Sequence, residues 1–116
     1  MTTTAAADAS FNKTDARRML HAVFRVADQP ASAKFYTEAL GMRETRFRDL
    51  PDEKYSNGFY SYGSETEAFA LETTYNYGTE AYDIGEAFGH FGLATTDVKA
   101  LADKIRALGG EVRSIF

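Results

Sequence analysis

Two histidines and one glutamate are the residues whose types and spacing could bind a metal ion. The chain has only two histidines, His21 in "MLHAVFRVADQ" and His90 in "FGHFGLATTDV", and both stand at the same point of a repeated phrase. Glu72 lies in a third apolar segment, "EAFALETT", among small residues that leave room for a ligand. Two imidazoles and one carboxylate suit Zn²⁺, Ni²⁺, Co²⁺ or Fe²⁺ and leave open positions for a substrate.

Each of these residues, taken singly, also has an ordinary structural explanation. A strand histidine is often half-buried with a satisfied hydrogen bond, and a strand glutamate can lie on a solvated face. Arg25 shares the His21 face by alternation, where it could bind a carboxylate or form a surface ion pair. Asn76 in "TYNYG" fits a turn as well as a binding site. The repeat position shared by the two histidines favours the metal site.

The elements that would position these residues form a repeated unit. Asp28 follows His21 by seven residues, as Asp97 follows His90. Periodicity and turn residues predict strands at 20–26, 42–50, 55–63 and 67–74 with a helix at 31–40, then a strand at 89–97, a helix at 98–108 and the start of a strand at 111–116. This pattern predicts an α+β fold built from βαβββ modules, one complete copy plus the start of a second.

The chain divides into four predicted segments. Residues 1–18 are expected to be a disordered N-terminal extension, with a transit peptide as the alternative. Residues 19–74 form the first module, 75–88 an inter-module loop and 89–116 an incomplete second module. The loop is long for a connection inside a compact domain, which indicates a functional segment or a linker.

Composition excludes several classes of function. A net charge of −4 disfavours nucleic acid and anionic membrane surfaces, because both attract cationic proteins. No stretch approaches the roughly 18 apolar residues of a spanning helix. The sequence has no cysteine, which excludes disulfides, thiolate metal sites and thiol catalysis and is consistent with a reducing, cytoplasmic location.

Four phrases of the sequence resemble the glyoxalase I (lactoylglutathione lyase) family of the vicinal-oxygen-chelate superfamily, from Met19 to about Arg113. They are "MLHAVFRVADQPASAKFYTEALGM", "EKYSNGFYSYG", "ALETTYNYG" and "AFGHFGLATTDV". The resemblance implies paired βαβββ modules around one divalent metal ion. The metal ligands that it implies are His21, Glu72 and His90, and the residues that it implies for glutathione are Arg25 and Asn76. Histidine as first ligand resembles the bacterial type that prefers Ni²⁺ or Co²⁺ over Zn²⁺. Such enzymes are usually homodimers with shared sites.

The activity that the resemblance implies is isomerisation of the hemithioacetal of methylglyoxal and glutathione to S-lactoylglutathione. In this family the main base is a glutamate on the last strand of the second module, which leaves Glu72 as a ligand and secondary base. Glu72 follows His21 by 51 residues, so its counterpart is expected near position 141, 25 residues beyond Phe116. The sequence therefore predicts a truncated second module and impaired activity. The alternatives are another metalloenzyme of the superfamily (an epimerase, a thiol transferase or a ring-cleaving dioxygenase) and a non-catalytic small-molecule binding module.

Overall fold

The chain folds into a four-stranded mixed sheet with its first helix packed on one side. The computed structural model describes residue 15 and residues 17–114, so most of the predicted N-terminal extension lies outside the described residues. In chain order the elements are β1 (His21–Arg25), α1 (Gln29–Lys34), a π-helical continuation (Phe35–Ala39), β2 (Arg43–Leu50), β3 (Tyr55–Ser61), β4 (Ala70–Asn76) and α2 (Val98–Ala107). The predicted α+β class and the βαβββ order are confirmed.

Both helices begin with an aspartate N-cap, which explains why an aspartate occurs at the same place in each repeat. The Asp28 carboxylate accepts a hydrogen bond from the backbone three residues later (3.0 Å), and the Asp97 carboxylate does the same (2.9 Å). Such caps satisfy a backbone N–H group that the helix itself leaves without a partner. Gly41 and Gly109, with φ of 72° and 89°, follow the helices in the left-handed conformation that glycine adopts at least cost. Neither helix, nor any other in the described part of the chain, is long and apolar enough to cross a membrane.

The sheet has two different faces. Its strand order is β1-β4-β3-β2, with β1 parallel to β4 and the other pairs antiparallel. Val23 lies opposite Glu72, and Glu72 lies opposite Phe59. Because side chains alternate between faces, these three residues and their alternate neighbours share one face, which we call the open face. The other face, the helical side, packs against α1 and buries Tyr60 and Leu71.

The segment 89–97, predicted as a strand, is irregular and exposed, and residues 111–114 are not a strand either. The strand pattern is present, but no strand among residues 17–114 pairs with it, and an unpaired strand is not stable in water. The segment instead packs through Phe91, whose ring lies 5.5 Å from that of Phe24 on the helical side. The predicted inter-module loop at 75–88 starts later than expected. Strand β4 continues to Asn76, so residues 75 and 76 belong to the sheet.

The buried hydroxyl of Tyr60 makes stability sensitive to alkaline pH. It donates a hydrogen bond to Glu44 Oε2 (3.1 Å), and burial together with the Glu44 charge raises the pKa of Tyr60 to about 12. The native state therefore holds this proton more tightly than the unfolded chain, in which the pKa is 10.0. The contribution is complete below pH 10.0 and is lost as pH rises towards 12, by at most about 1.4 kcal/mol per pH unit.

We expect Tyr60→Phe to flatten this alkaline loss of stability, measured by urea unfolding at several pH values below and above 10.0. Burial also raises the pKa of Tyr36 and Tyr62, so part of the slope should remain. Tyr62→Phe is the comparison variant: Tyr62 is largely exposed where Tyr60 is fully buried, so removal of its hydroxyl should flatten the slope less than Tyr60→Phe does. An alkaline slope in Tyr60→Phe equal to that of the unmodified chain would contradict the prediction.

Candidate metal centre

Parallel pairing of β1 and β4 brings two of the three predicted metal ligands together. Val23 is in register with Glu72, so His21 lies one step diagonally away on the same face. His21 Nε2 is 3.2 Å from Glu72 Oε1. The Glu72 side chain is 14% exposed and that of His21 is 41% exposed, so the pair reaches solvent mainly through the imidazole. An imidazole and a carboxylate of adjacent strands thus meet on the open face.

The phenyl ring of Phe59 packs against the imidazole ring of His21. The Phe59 ring meets it edge-on, with ring centroids 5.8 Å apart and an interplanar angle of 87°. Arg46 covers the same phenyl ring, its guanidinium carbon 4.0 Å from the centroid, and Phe59 is only 2% exposed. This packing limits the orientations that the imidazole ring can adopt.

Arg46 is neutralised by Glu65, which joins the segment between β3 and β4 to the open face. The guanidinium of Arg46 donates two hydrogen bonds to the Glu65 carboxylate, at 3.2 and 3.0 Å. These hydrogen bonds are the main reason why the pKa of Glu65 is lowered, with smaller contributions from a hydrogen bond of Thr45 and the charge of Arg46. Arg18 also donates to the Glu65 backbone carbonyl (2.6 Å). The charge of Arg46 is therefore already paired with a carboxylate of the same chain.

His90 is not brought to the other two predicted ligands. It lines a cavity of about 650 Å³ on the helical side, together with Tyr36, Tyr60 and Leu71. In residues 15 and 17–114 there is no group of three His, Cys, Asp or Glu side chains placed to hold one metal ion. Within one chain, His90 and the His21–Glu72 pair thus lie on opposite sides of the sheet.

The chemistry of the His21–Glu72 pair fits a divalent transition metal. An imidazole nitrogen and a carboxylate oxygen are donors that Zn²⁺, Ni²⁺ and Co²⁺ accept. Two donors leave most of a coordination sphere free, so further ligands must come from elsewhere.

Arg25 and Asn76, the predicted substrate-binding residues, line one cleft of about 280 Å³ on the open face. Thr74 lies between them, opposite Arg25 in the β1–β4 register. Asn76 is the last residue of β4 rather than part of a turn, and its Nδ2 donates to the Tyr82 hydroxyl (3.2 Å). Arg25 has an exposed side chain at the rim. The cleft therefore offers a cation and an amide next to the metal-ligand pair.

Two residues of the open face, Asn57 and Arg48, are not identified by the sequence analysis. Asn57 is 3% exposed, and its Oδ1 accepts a hydrogen bond from Arg48 Nη2 (2.8 Å). Its Nδ2 donates to Thr74 Oγ1 (2.9 Å), which connects β2 to β4 through β3. The alternation of "TRFRDL" already places Arg46 and Arg48 on one face, but only the strand order shows which residues they meet.

Comparison with known proteins gives consistent matches. The sequence family described as the Glyoxalase/Bleomycin resistance protein/Dioxygenase superfamily matches residues 18–116. A probable chloroplastic lactoylglutathione lyase of Arabidopsis thaliana is 54% identical over 100 residues, 86% of this chain and 29% of that protein. The lactoylglutathione lyase of Salmonella typhimurium is 44% identical over 95 residues, 82% of this chain and 70% of that protein.

Solved structures give the same result for the fold. Glyoxalase I from Zea mays superposes with a TM-score of 0.78 and 54% identity, over 79% of this chain and 33% of that one. The trypanothione-dependent glyoxalase I of Leishmania major gives 0.75 and 47%, over 79% and 66%. The chain thus spans about a third of the length of its plant relatives.

Proposed function

The chain belongs to the Glyoxalase/Bleomycin resistance protein/Dioxygenase superfamily, and from this membership we propose that it forms part of a lactoylglutathione lyase. The proposed reaction converts the hemithioacetal of methylglyoxal and glutathione to S-lactoylglutathione. The observation that carries the proposal is the 3.2 Å contact between His21 Nε2 and Glu72 Oε1, beside a cleft lined by Arg25 and Asn76.

The proposed cofactor is one divalent metal ion, Ni²⁺ or Co²⁺ in preference to Zn²⁺, held by His21 and Glu72. When bound, it would act as a Lewis acid that stabilises charge on the two adjacent oxygens of the substrate. His90 lies on the other side of its own sheet. The His90 imidazole at each site therefore comes from a second copy of the chain. The active assembly is then a homodimer in which each site is shared between two copies.

The residues of the chain have separate roles in this proposal. The Arg25 guanidinium binds a substrate carboxylate through two parallel hydrogen bonds, and the Asn76 amide binds peptide groups of the substrate. Glu72 is a metal ligand and secondary base. The main base is its counterpart in a complete second module, which the repeat places near position 141. Full turnover is expected where that counterpart is present.

Metal binding by the purified chain is the first test. Calorimetry with Ni²⁺ should give one ion per chain, light scattering should give a dimer, and glutathione with methylglyoxal should produce thioester absorbance if the second module is complete. A thiol other than glutathione, used in the same assay, separates the lyase from other metalloenzymes of the superfamily. Indifference to Ni²⁺, Co²⁺ and Zn²⁺ would contradict the proposal and favour a non-catalytic binding module.

Sharing of the site can be tested by mixing two defective variants. Glu72→Gln and His90→Ala should each bind Ni²⁺ poorly when pure. After co-refolding in equal amounts, about a quarter of the sites should recover, because half of randomly assembled two-fold dimers are mixed and each mixed dimer holds one intact site. No recovery in the mixture would refute a site built from two copies.

For location, the absence of cysteine supports a cytoplasmic protein, which we propose for this chain. The Arabidopsis thaliana relative is named as chloroplastic. Imaging of the chain with a C-terminal fluorescent tag distinguishes the two, since an organellar pattern would exclude the cytoplasm.

A further inference from the structure

One row of polar side chains crosses the open face directly beside the metal-ligand pair. Arg25 of β1 is in register with Thr74 of β4, Thr74 with Asn57 of β3, and Asn57 with Arg48 of β2. We call these four residues the polar row. It begins and ends with an arginine, and Glu72 lies two residues before Thr74 on the same strand and face.

Asn57 determines where Arg48 points. A buried amide is costly unless its hydrogen bonds are made, and Asn57 makes one with Arg48 Nη2 (2.8 Å) and one with Thr74 Oγ1 (2.9 Å). Because the Asn57 side chain is fixed at both ends, it holds the Arg48 guanidinium over the sheet. A guanidinium has five N–H donors, so this single hydrogen bond leaves most of them for a ligand.

The two arginines of the row carry charge that no acidic residue of the described part of the chain neutralises. In the part of the chain that the structure describes, the ion pairs of arginine involve Arg17, Arg46, Arg106 and Arg113, and neither Arg25 nor Arg48 forms one. Arg46, in the adjacent row, is paired with Glu65. Two exposed, unpaired guanidinium groups on a chain of net charge −4 form a local site for anions.

The distance between Arg25 and Arg48 limits the size of a ligand that can contact both arginines. Neighbouring strands lie about 4.8 Å apart, so three strand spacings separate the backbones of Arg25 and Arg48 by about 14 Å. An extended tripeptide spans about 10–11 Å, and the two arginine side chains reach inward over the remainder. A tripeptide with a carboxylate at each end therefore fits between the arginines.

We propose that Arg48, positioned by Asn57, is a specificity-determining residue that binds the second carboxylate of a tripeptide thiol whose first carboxylate is bound by Arg25. The inference rests on the proposed function, because it takes glutathione, which has a carboxylate at each end, as the thiol. The sulfur of the central cysteine then lies near Thr74, about 7 Å along β4 from Glu72. The ligand is thereby aligned with its reactive group towards the metal-ligand pair.

Calorimetry with S-methylglutathione and its diethyl ester, without added metal, tests this role. The first ligand has both carboxylates and the second has neither. Arg48→Ala should weaken binding of the diacid about 10- to 100-fold, as expected for loss of a charged hydrogen bond, and leave binding of the diester unchanged. Arg48→Gln should show the same loss, since its amide can still donate to Asn57 but carries no charge.

Arg43→Ala is the matched control, because Arg43 lies on the same strand and face but opposite Ser61, outside the polar row. It should bind both ligands like the unmodified chain. Unchanged diacid binding by the Arg48 variants overturns the inference alone, and so does an equal loss with the diacid and the diester. Failure of the unmodified chain to bind the diacid overturns the proposed function, and the inference with it.

Discussion

The Glu72→Gln substitution should weaken binding of Ni²⁺ at least about 100-fold, the upper end of what is lost when a residue that merely supports a metal ligand is changed. Glutamine has nearly the same size as glutamate and removes only the charge and one acceptor oxygen. Oε1 of Glu72 lies 3.2 Å from His21 Nε2, and the side chain is 14% exposed, so the substitution changes the carboxylate that lies directly beside the imidazole. Calorimetric titration of the purified variant measures the loss directly.

Stability gives a second measurement of the same effect. A ligand that binds only the native state at 100 times its Kd raises the free energy of unfolding by about 2.7 kcal/mol. We therefore expect Ni²⁺ to shift the urea unfolding midpoint of the unmodified chain and not that of Glu72→Gln. Glu67→Gln, an exposed substitution in the turn before β4, should retain the shift. An equal shift in both variants would mean that Glu72 and His21 form an ion pair without a role in metal binding.

The His21–Glu72 pair shows what alternation within strands can predict. Alternation alone predicts that His21 shares a face with Arg25 and that Glu72 shares a face with its small neighbours. The parallel pairing of β1 with β4 then brought these two faces together. The strands and helices themselves were predictable because caps and turn residues mark their ends in the sequence, as Asp28 does for α1.

The parts that could not be predicted depend on partners distant in the sequence. Residues 89–97 have the composition of a strand, yet a strand forms only when another strand supplies its hydrogen bonds. The polar row depends on the register of four strands and on an irregularity between Glu44 and Arg46. That irregularity lets Glu44 reach Tyr60 on the helical side, while Arg46 and Arg48 lie on the open face. No local pattern in the sequence specifies these relations.

The second large effect is expected at Gly58, on the helical side of β3. A Cβ added there would lie closer than 3.0 Å to the hydroxyl oxygen of Tyr60 and 2.7 Å from Gln29 Nε2. Both neighbours are buried, at 0% and 7% exposure, and both are hydrogen-bonded, Tyr60 to Glu44 and Gln29 to Thr73. Moving either side chain aside would disturb its hydrogen bond, so the space beside Gly58 suits only glycine.

Gly58→Ala should therefore lower the free energy of unfolding by about 3 kcal/mol, the upper part of the range for overpacked cores. Urea unfolding measures it, with Gly89→Ala as the control, because an added Cβ at Gly89 meets no atom within 4 Å. Equal midpoints for the two variants would refute the steric argument. Because the tyrosine hydroxyl is among the closest atoms, combining Gly58→Ala with Tyr60→Phe should cost less than the sum of the two single changes. A strictly additive result would mean that Gln29 Nε2 or the ring carbon Cζ of Tyr60, rather than the Tyr60 hydroxyl, makes glycine necessary at this position.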